Sequence, residues 1–308
     1  MRWAACVEYD GSSYHGWQSQ PHAASVQDTF EAALARLADR PVRSVCSGRT
    51  DTGVHAQGQI VHFDTDAQRS ERAWLLGTNR YLPDDIALQW VIPVPDTFHA
   101  RFGAIAREYR YWILDRTAPS ALWRNRAFHS RNRLDAETMH AAAQHLVGRH
   151  DFSAFRAAAC QAKTPWRDIT RCEVHRRGDW IRLDVHANAF LHHMVRNIVG
   201  SLLPVGRGLR DPRWIAELLA EGDRRRAGMT APAQGLSLRR VHYGGDVGLP
   251  PRRWRTTAGK LSYWRKRRAM NATAHETSTG QDLRCDTSRR CRRRGGRGRG
   301  RARLRVLC

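Results

Sequence analysis

The order of hydrophobic patterns repeats once along this chain of 308 residues. Strand patterns of the first half alternate with two helix patterns, and the strands lie at 3–9, 42–46, 59–64 and 86–94. The second half repeats this order, with strand patterns at 108–114, 168–175, 180–186 and 236–243. Because β-α-β-β-α-β is the order of a ferredoxin-like unit, the sequence predicts an α+β fold. We expect two tandem ferredoxin-like halves that form a mixed sheet with a central cleft.

The composition changes after Pro251, where apolar periodicity ends. Residues 252–308 hold 19 of the 52 Lys+Arg and 3 of the 29 Asp+Glu, so their net charge is +16 and that of residues 1–251 is +7. A moderately basic body suits a polyanionic partner. The sequence therefore predicts halves at 1–104 and 105–250 and an Arg/Gly-rich tail at 251–308. This tail is either a nucleic-acid-binding extension or the product of a shifted reading frame, and we expect disorder in both cases.

Cysteine usage and the N-terminal residues indicate the compartment. The chain has 7 cysteines and no C-x-x-C pair, which is typical of reduced thiols in a cytoplasmic protein. Glu8 and Asp10 precede any long apolar run, so we expect no signal peptide. We also expect no membrane association, because no stretch reaches the roughly 20 apolar residues of a membrane span.

The stretch GRTDTGVHA at 48–56 holds the strongest candidate for chemistry. A phosphate loop needs Lys and Ser/Thr after its second glycine, but Val54 and His55 follow Gly53. An aspartic protease needs two carboxylates that share one proton, and Arg49 would keep Asp51 ionised instead. A single ionised carboxylate can act as a nucleophile or a base. The structural alternative, an Arg49–Asp51 ion pair at a turn, stays open at this point.

Histidines raise the possibility of a zinc site. The candidates are His55, His62, His192 and His193, but their spacing matches no structural zinc pattern. The apolar stretch 190–204 predicts a helix, on which adjacent side chains point about 100° apart. The sequence therefore predicts that His192 and His193 do not face one ion together, and we expect no metal site.

Beyond these residues, GRTDTGVHA resembles the catalytic motif of the A-type tRNA pseudouridine synthases. Further stretches are similar to signatures of the same family and occur in the family's order. They are VEYDGSSYHGWQSQ at 7–20, FHARFGAIAREYRYWI at 98–113, DFSAF at 151–155, NAFLHHMVRNIVGSLLPVG at 188–206 and GLSLRRVHY at 235–243. The resemblance spans nearly all of residues 3–250 and does not extend to the tail.

The resemblance implies roles for five residues. Asp51 matches the catalytic aspartate, Tyr109 the active-site tyrosine and Arg196 the arginine that pairs with the aspartate. Arg49 matches an arginine that handles the flipped-out nucleotide, and Leu236 an apolar residue beneath the uracil. Isomerisation involves neither redox change nor hydrolysis, so the resemblance implies no cofactor and no metal.

The implied reaction converts uridine to pseudouridine at positions 38, 39 and 40 in the anticodon stem-loop of tRNA. The resemblance also implies a homodimer whose basic faces bind the tRNA jointly. Whether Asp51 attacks C1′ or abstracts a proton stays open. The alternative function is a non-catalytic RNA-binding protein with tandem RRM-like halves, for which an aromatic RNP1 pattern would be expected. No such pattern is found in the sequence.

Overall fold

The computed structural model describes residues 1–245 and 248–250, and a ten-stranded sheet runs through them. The strands are β1 (Arg2–Tyr9), β2 (Ser44–Cys46), β3 (His55–Asp64), β4 (Ile86–Val94), β5 (Ala104–Asp115), β6 (Phe128–Ser130), β7 (Gly148–Asp151), β8 (Trp166–Arg177), β9 (Trp180–Ala187) and β10 (Leu236–Tyr243). The α-helices are α1 (Val26–Ala38), α2 (Glu71–Tyr81), α3 (Ala136–Gln144), α4 (Met194–Gly206) and α5 (Trp214–Glu221).

The strand order confirms the predicted fold class. The sheet runs β4-β1-β3-β10-β5-β9-β8-β7, with β2 beside β3 and β6 beside β5. The segments β4-β1-β3-β2 and β10-β5-β9-β8 therefore have the same internal order, that of a ferredoxin-like unit. The sheet is mixed because β10 lies parallel to β3 and β6 lies parallel to β5, whereas the other pairs are antiparallel.

Strand β3 joins the two halves and places the candidate motif. On one edge it pairs with β1 along most of its length. On the other edge β2 pairs with residues 61–63, and β10 pairs with His55 and Ala56. Residues 47–54 leave β2 and return to β3 beside the first residues of β10. The GRTDTGV segment therefore lies at the junction of the halves.

Aromatic side chains of the first half attach its helices to one face of the sheet. Trp74 of α2 lies against Trp3 and Phe63, with ring centroids 6.0 and 5.4 Å away. Trp17 links Tyr9 to Phe30 of α1 at 5.8 and 6.4 Å. All six rings are at most 4% exposed, so their burial contributes strongly to the core of this half.

The sequence predicted the long elements more accurately than the short ones. The predicted strand at 86–94 and the hairpin of β8 and β9 are confirmed, as is Ser25 as the N-cap of α1. The short strands β6 and β7 were not predicted. The helix predicted from residue 190 begins only at Met194. The predicted tail at 251–308 lies outside the described residues.

Two further sequence predictions concern cysteines and membranes. The described cysteines form no disulfide bond with one another, and three of them, Cys6, Cys46 and Cys172, are buried. Among the described residues, none of the helices combines the length and the apolar character needed to cross a bilayer.

His62 on β3 should make stability depend on pH. Its Nδ1 accepts a hydrogen bond from the Ala100 N–H at 3.2 Å. Burial lowers the pKa of His62 from 6.5 to about 4, and the charge of Arg2 acts in the same direction. The unfolded chain therefore binds this proton at a higher pH than the folded protein, so stability should fall as the pH drops from 6.5 towards 4.

We expect His62→Gln to make the free energy of unfolding fall less steeply over that pH range, because the titrating group is gone while an amide oxygen can still accept the hydrogen bond. Urea titrations of both proteins at several pH values measure this slope. The prediction would be contradicted if the free energy of unfolding depended on pH in the same way in both proteins.

Candidate active site

Close backbone contacts fix the shape of the GRTDTGVHA segment. Gly16 has φ +88°, and a Cβ there would lie 2.4 Å from the carbonyl oxygen of Thr50. The neighbouring Trp17 N–H donates to the same carbonyl at 3.1 Å. The Gly53 N–H donates to the carbonyl of Tyr14 at 3.2 Å. The loop after β1 therefore supports the backbone on both sides of Asp51.

The Asp51 carboxylate meets side chains from the second half of the chain. Its Oδ1 lies 3.5 Å from His192 Nε2, and its Oδ2 lies 3.5 Å from His193 Nε2. Arg196 Nη1 is also 3.5 Å from Oδ2. The Asp51 side chain remains 23% exposed, so an approaching substrate can reach it. The structure thus brings together Asp51 and Arg196, as the resemblance implied.

Two hydrogen bonds to one residue hold Arg196 in place. Its Nε donates to the carbonyl of Ala231 at 2.8 Å, and the Ala231 N–H donates to the carbonyl of Arg196 at 3.1 Å. Arg196 lies in the first turn of α4 and its side chain is 16% exposed. The guanidinium is therefore anchored by its Nε and leaves Nη1 directed at the carboxylate.

The two histidines face Asp51 together, so the sequence argument against this was wrong. It placed both on a helix, but α4 begins at Met194, and His193 is its N-cap with φ 59°. This left-handed backbone turns two adjacent imidazoles to the same side, with ring centroids 4.0 Å apart. Burial lowers the pKa of His193, and the Asp51 charge opposes this shift. The two adjacent histidines are visible in the sequence, but the sequence does not show that the helix begins only at Met194, after both of them.

Tyr109 lies on β5, within reach of the charge of Asp51. Burial raises the pKa of its hydroxyl, and the negative charge of Asp51 acts in the same direction, which indicates that the two groups are close. Phe190 contacts the tyrosine ring edge-on with centroids 4.9 Å apart. In the sheet register Tyr109 stands opposite Leu238 and Val185, both fully buried. The tyrosine is therefore buried between ordered neighbours, and Phe190 is a contact that sequence reasoning missed.

The segment before β10 closes another side of the site. His55 Nδ1 accepts from the Gly11 N–H at 3.0 Å, so its Nε2 donates to the carbonyl of Gln234 at 3.1 Å. The Tyr111 hydroxyl donates to the carbonyl of Pro232 at 2.8 Å. Leu236 follows this segment, is 5% exposed and pairs with Tyr111 in the sheet register. His55 is thus a structural link between the halves, whereas Leu236 supplies apolar surface beside the site.

The position of Arg49 bears on the ion pair with Asp51 that the sequence left open. Its side chain is exposed, and it forms no ion pair with Asp51 in the part of the chain that the structure describes. The cation beside the carboxylate is Arg196 instead, from a helix that lies far away in sequence. The structural alternative of an Arg49–Asp51 ion pair is therefore not found among the described residues, and the role of Arg49 in contacting the nucleotide stays a prediction.

Together these residues form a cluster of one carboxylate, one anchored guanidinium, two imidazoles and a buried tyrosine. The carboxylate can attack an electrophilic carbon or accept a proton, while the cations around it suit a phosphate-bearing ligand. Asp51, His192 and His193 could also hold a metal ion, because their ligand atoms all lie within 4.8 Å of one another.

Known proteins resemble this chain over almost all of the described residues. A family model described as tRNA pseudouridine synthase matches residues 5–103 and 142–244. A "tRNA pseudouridine synthase A" of Aeromonas hydrophila is 56% identical over 250 residues, which cover 81% of this chain and 93% of that protein. A protein of the same name from Shigella sonnei is 52% identical over 244 residues, 79% of this chain and 90% of the relative.

The first matched range includes Asp51 and its motif, the second includes Arg196 and Leu236, and Tyr109 falls between the two ranges. The architecture agrees with the comparison, since both matched ranges contribute strands to the same mixed sheet. The chain therefore belongs to the tRNA pseudouridine synthase family.

Proposed function

We propose that this enzyme isomerises uridines at positions 38, 39 and 40 in the anticodon stem-loop of tRNA, with Asp51 as its catalytic carboxylate. The observation that carries the proposal is the partly exposed Asp51, faced by Arg196 at 3.5 Å and backed by Tyr109. Membership of the family accounts for pseudouridine formation in tRNA, and the anticodon stem-loop follows from the motif resemblance.

The reaction breaks the N1–C1′ glycosidic bond, turns the base and joins C5 to C1′. The target base must leave its stack, which takes a few kcal/mol. In our proposal the exposed Arg49 contacts the flipped-out nucleotide, and Leu236 lies beneath the uracil. Asp51 attacks C1′ or removes a sugar proton, and the Arg196 guanidinium stabilises its negative charge.

Tyr109 acts on the base in this scheme. Its ring is held by Phe190 and offers a flat surface for uracil. Its hydroxyl, kept neutral by burial, can relay the proton that leaves C5 at the end of the reaction. No residue changes its oxidation state, and we propose that the reaction proceeds without a cofactor.

The remaining proposals concern assembly. We propose a cytoplasmic homodimer whose basic faces bind one tRNA jointly, and a boundary between the halves at residues 104 and 105, where β5 begins. The net charge of +7 on residues 1–251 favours an RNA partner over an acidic small molecule. A non-catalytic RNA-binding protein is less well supported, because such a protein needs no carboxylate at the centre of a basic cleft.

The test uses full-length tRNA transcripts that keep a single uridine at position 38, 39 or 40, the other two being cytidine. Carbodiimide labelling followed by reverse transcription reports pseudouridine at each position. We expect a stop at each retained uridine and none at a uridine in the T loop of the same transcript. Modification confined to the T loop would refute the proposed target, and binding without any modification would favour the non-catalytic alternative.

A further inference from the structure

The cluster of Asp51, His192 and His193 has the composition of a metal site. Both histidines present the same atom, Nε2, to the carboxylate, each at 3.5 Å. All three ligand atoms lie within 4.8 Å of one another. Two imidazoles and one carboxylate form a donor set that zinc proteins use when a fourth position stays open.

The spacing of these atoms matches what zinc requires. Zinc bonds to imidazole nitrogen and carboxylate oxygen are about 2.0–2.2 Å long, so tetrahedral ligand atoms stand roughly 3.3–3.6 Å apart. The distances from His192 Nε2 to Oδ1 and from His193 Nε2 to Oδ2 are each 3.5 Å, within that interval, and they end on different oxygens of the carboxylate. An ion could therefore bind between the three side chains with only small movements of the rings.

The backbone around the histidines is held in place before any ion arrives. The His192 N–H donates to Cys160 Sγ at 3.4 Å, and the His192 carbonyl accepts from the Ala157 N–H at 3.1 Å. The left-handed conformation of His193 fixes the next ring.

We propose that Asp51, His192 and His193 form an inhibitory Zn²⁺ site, in which the ion occupies the carboxylate and excludes the target uridine. The inhibition rests on the proposed catalytic role of Asp51, whereas the binding of zinc does not. Zinc is not a cofactor in this scheme. It competes with the substrate for one side chain, and its removal restores the enzyme.

Arg196 gives the proposal its sharpest test. Its Nη1 lies 3.5 Å from Asp51 Oδ2, so the guanidinium and a zinc ion compete for the same carboxylate oxygen and repel each other. Arg196→Gln should therefore bind zinc more tightly than the unchanged protein. The same substitution should slow the isomerisation, because it removes a cation from the proposed catalytic site. A role of Arg196 in folding alone would not move these two properties in opposite directions.

Equilibrium dialysis of the full chain against Zn²⁺, with the bound metal measured by atomic absorption, tests the site. We expect Asp51→Asn and the double variant His192→Ala/His193→Ala each to weaken binding of one zinc ion by at least about tenfold. Arg196→Gln should tighten it several-fold, and exposed His145→Ala is the matched control with unchanged affinity. Circular dichroism confirms that each variant is folded. Equal zinc affinity in all five proteins would overturn the proposal, since the metal would then lie elsewhere.

A second measurement separates this proposal from the proposed function. Rates of pseudouridine formation are recorded with EDTA and with increasing free Zn²⁺. We expect inhibition that follows the occupancy measured by dialysis, is relieved by more tRNA and is reversed by EDTA. Zinc that occupies the cluster without slowing a functioning enzyme would overturn the inhibitory role. A protein that binds zinc at the cluster but modifies no RNA in EDTA would refute the proposed function and leave the metal site standing.

Discussion

Replacing Asp51 with asparagine is expected to lower the rate of pseudouridine formation by at least about 10³-fold, the upper part of the range for loss of a catalytic acid or base. Asparagine has nearly the same shape but can neither attack C1′ nor accept a proton at neutral pH. Binding of tRNA should not weaken. It should stay equal or tighten a few-fold, because the substitution removes one negative charge from a cleft that receives phosphates.

Single-turnover kinetics with labelled tRNA measures the chemical step, and filter binding measures affinity. Asp66→Asn is the matched control, since Asp66 is an exposed carboxylate that pairs with Arg40 and is not one of the groups around Asp51. That variant should retain its full rate. A variant Asp51→Asn that kept more than a tenth of the rate would show that the carboxylate is not the catalytic group.

The sequence predicted the fold well where a pattern is local and long. In strands such as β1 and β4, buried apolar residues recur over eight or more positions. Ser25 marks the start of α1, because its side chain accepts a hydrogen bond from the Asp28 N–H. Strands β6 and β7 contain three and four residues, too few to show a period, and they exist because longer strands beside them offer free edges. Whether such short strands form is determined by pairing with neighbouring strands rather than by local sequence preference.

The candidate site was only partly predictable for a related reason. The motif around Asp51 and the tyrosine on β5 were readable, but the partner of the carboxylate was not. Arg49 is nearest in sequence, yet its side chain is exposed, and the cation beside the carboxylate is Arg196 of α4. The orientation of His192 and His193 depends on one left-handed residue at position 193. Non-glycine residues adopt this conformation rarely, so no composition rule predicts it.

The arrangement of the sheet explains why both halves are needed for one site. Strand β10, the last of the described strands, lies between β3 and β5 and so unites the segment that carries Asp51 with the strand that carries Tyr109. His55 at the start of β3 donates to the segment just before β10. Either half alone would lack one side of the cleft. Backbone contacts that hold the segment around Asp51 should therefore affect the reaction rate as strongly as the reacting groups do.

Replacing Gly16 with alanine should affect both stability and catalysis. Gly16 has φ +88°, and a left-handed conformation costs an alanine about 1–2 kcal/mol. The new Cβ would also lie 2.4 Å from the carbonyl oxygen of Thr50 and 3.1 Å from the carbonyl carbon of Asp51. Relief of this overlap requires a backbone shift of about 1 Å, and misplacement of a catalytic group by that distance can lower a rate about 10²-fold.

Gly48 offers a matched control in the same segment. A Cβ there meets no atom within 4 Å, so Gly48→Ala should change neither property appreciably. Urea unfolding measures the stability of both variants, and single-turnover kinetics measures their rates. If Gly16→Ala lost stability but kept its rate, the loop that contains Gly16 would stabilise the fold but would not determine the position of Asp51. A rate that falls about 10²-fold in Gly16→Ala alone, at a temperature where both variants are fully folded, would instead show that this one backbone contact places the carboxylate.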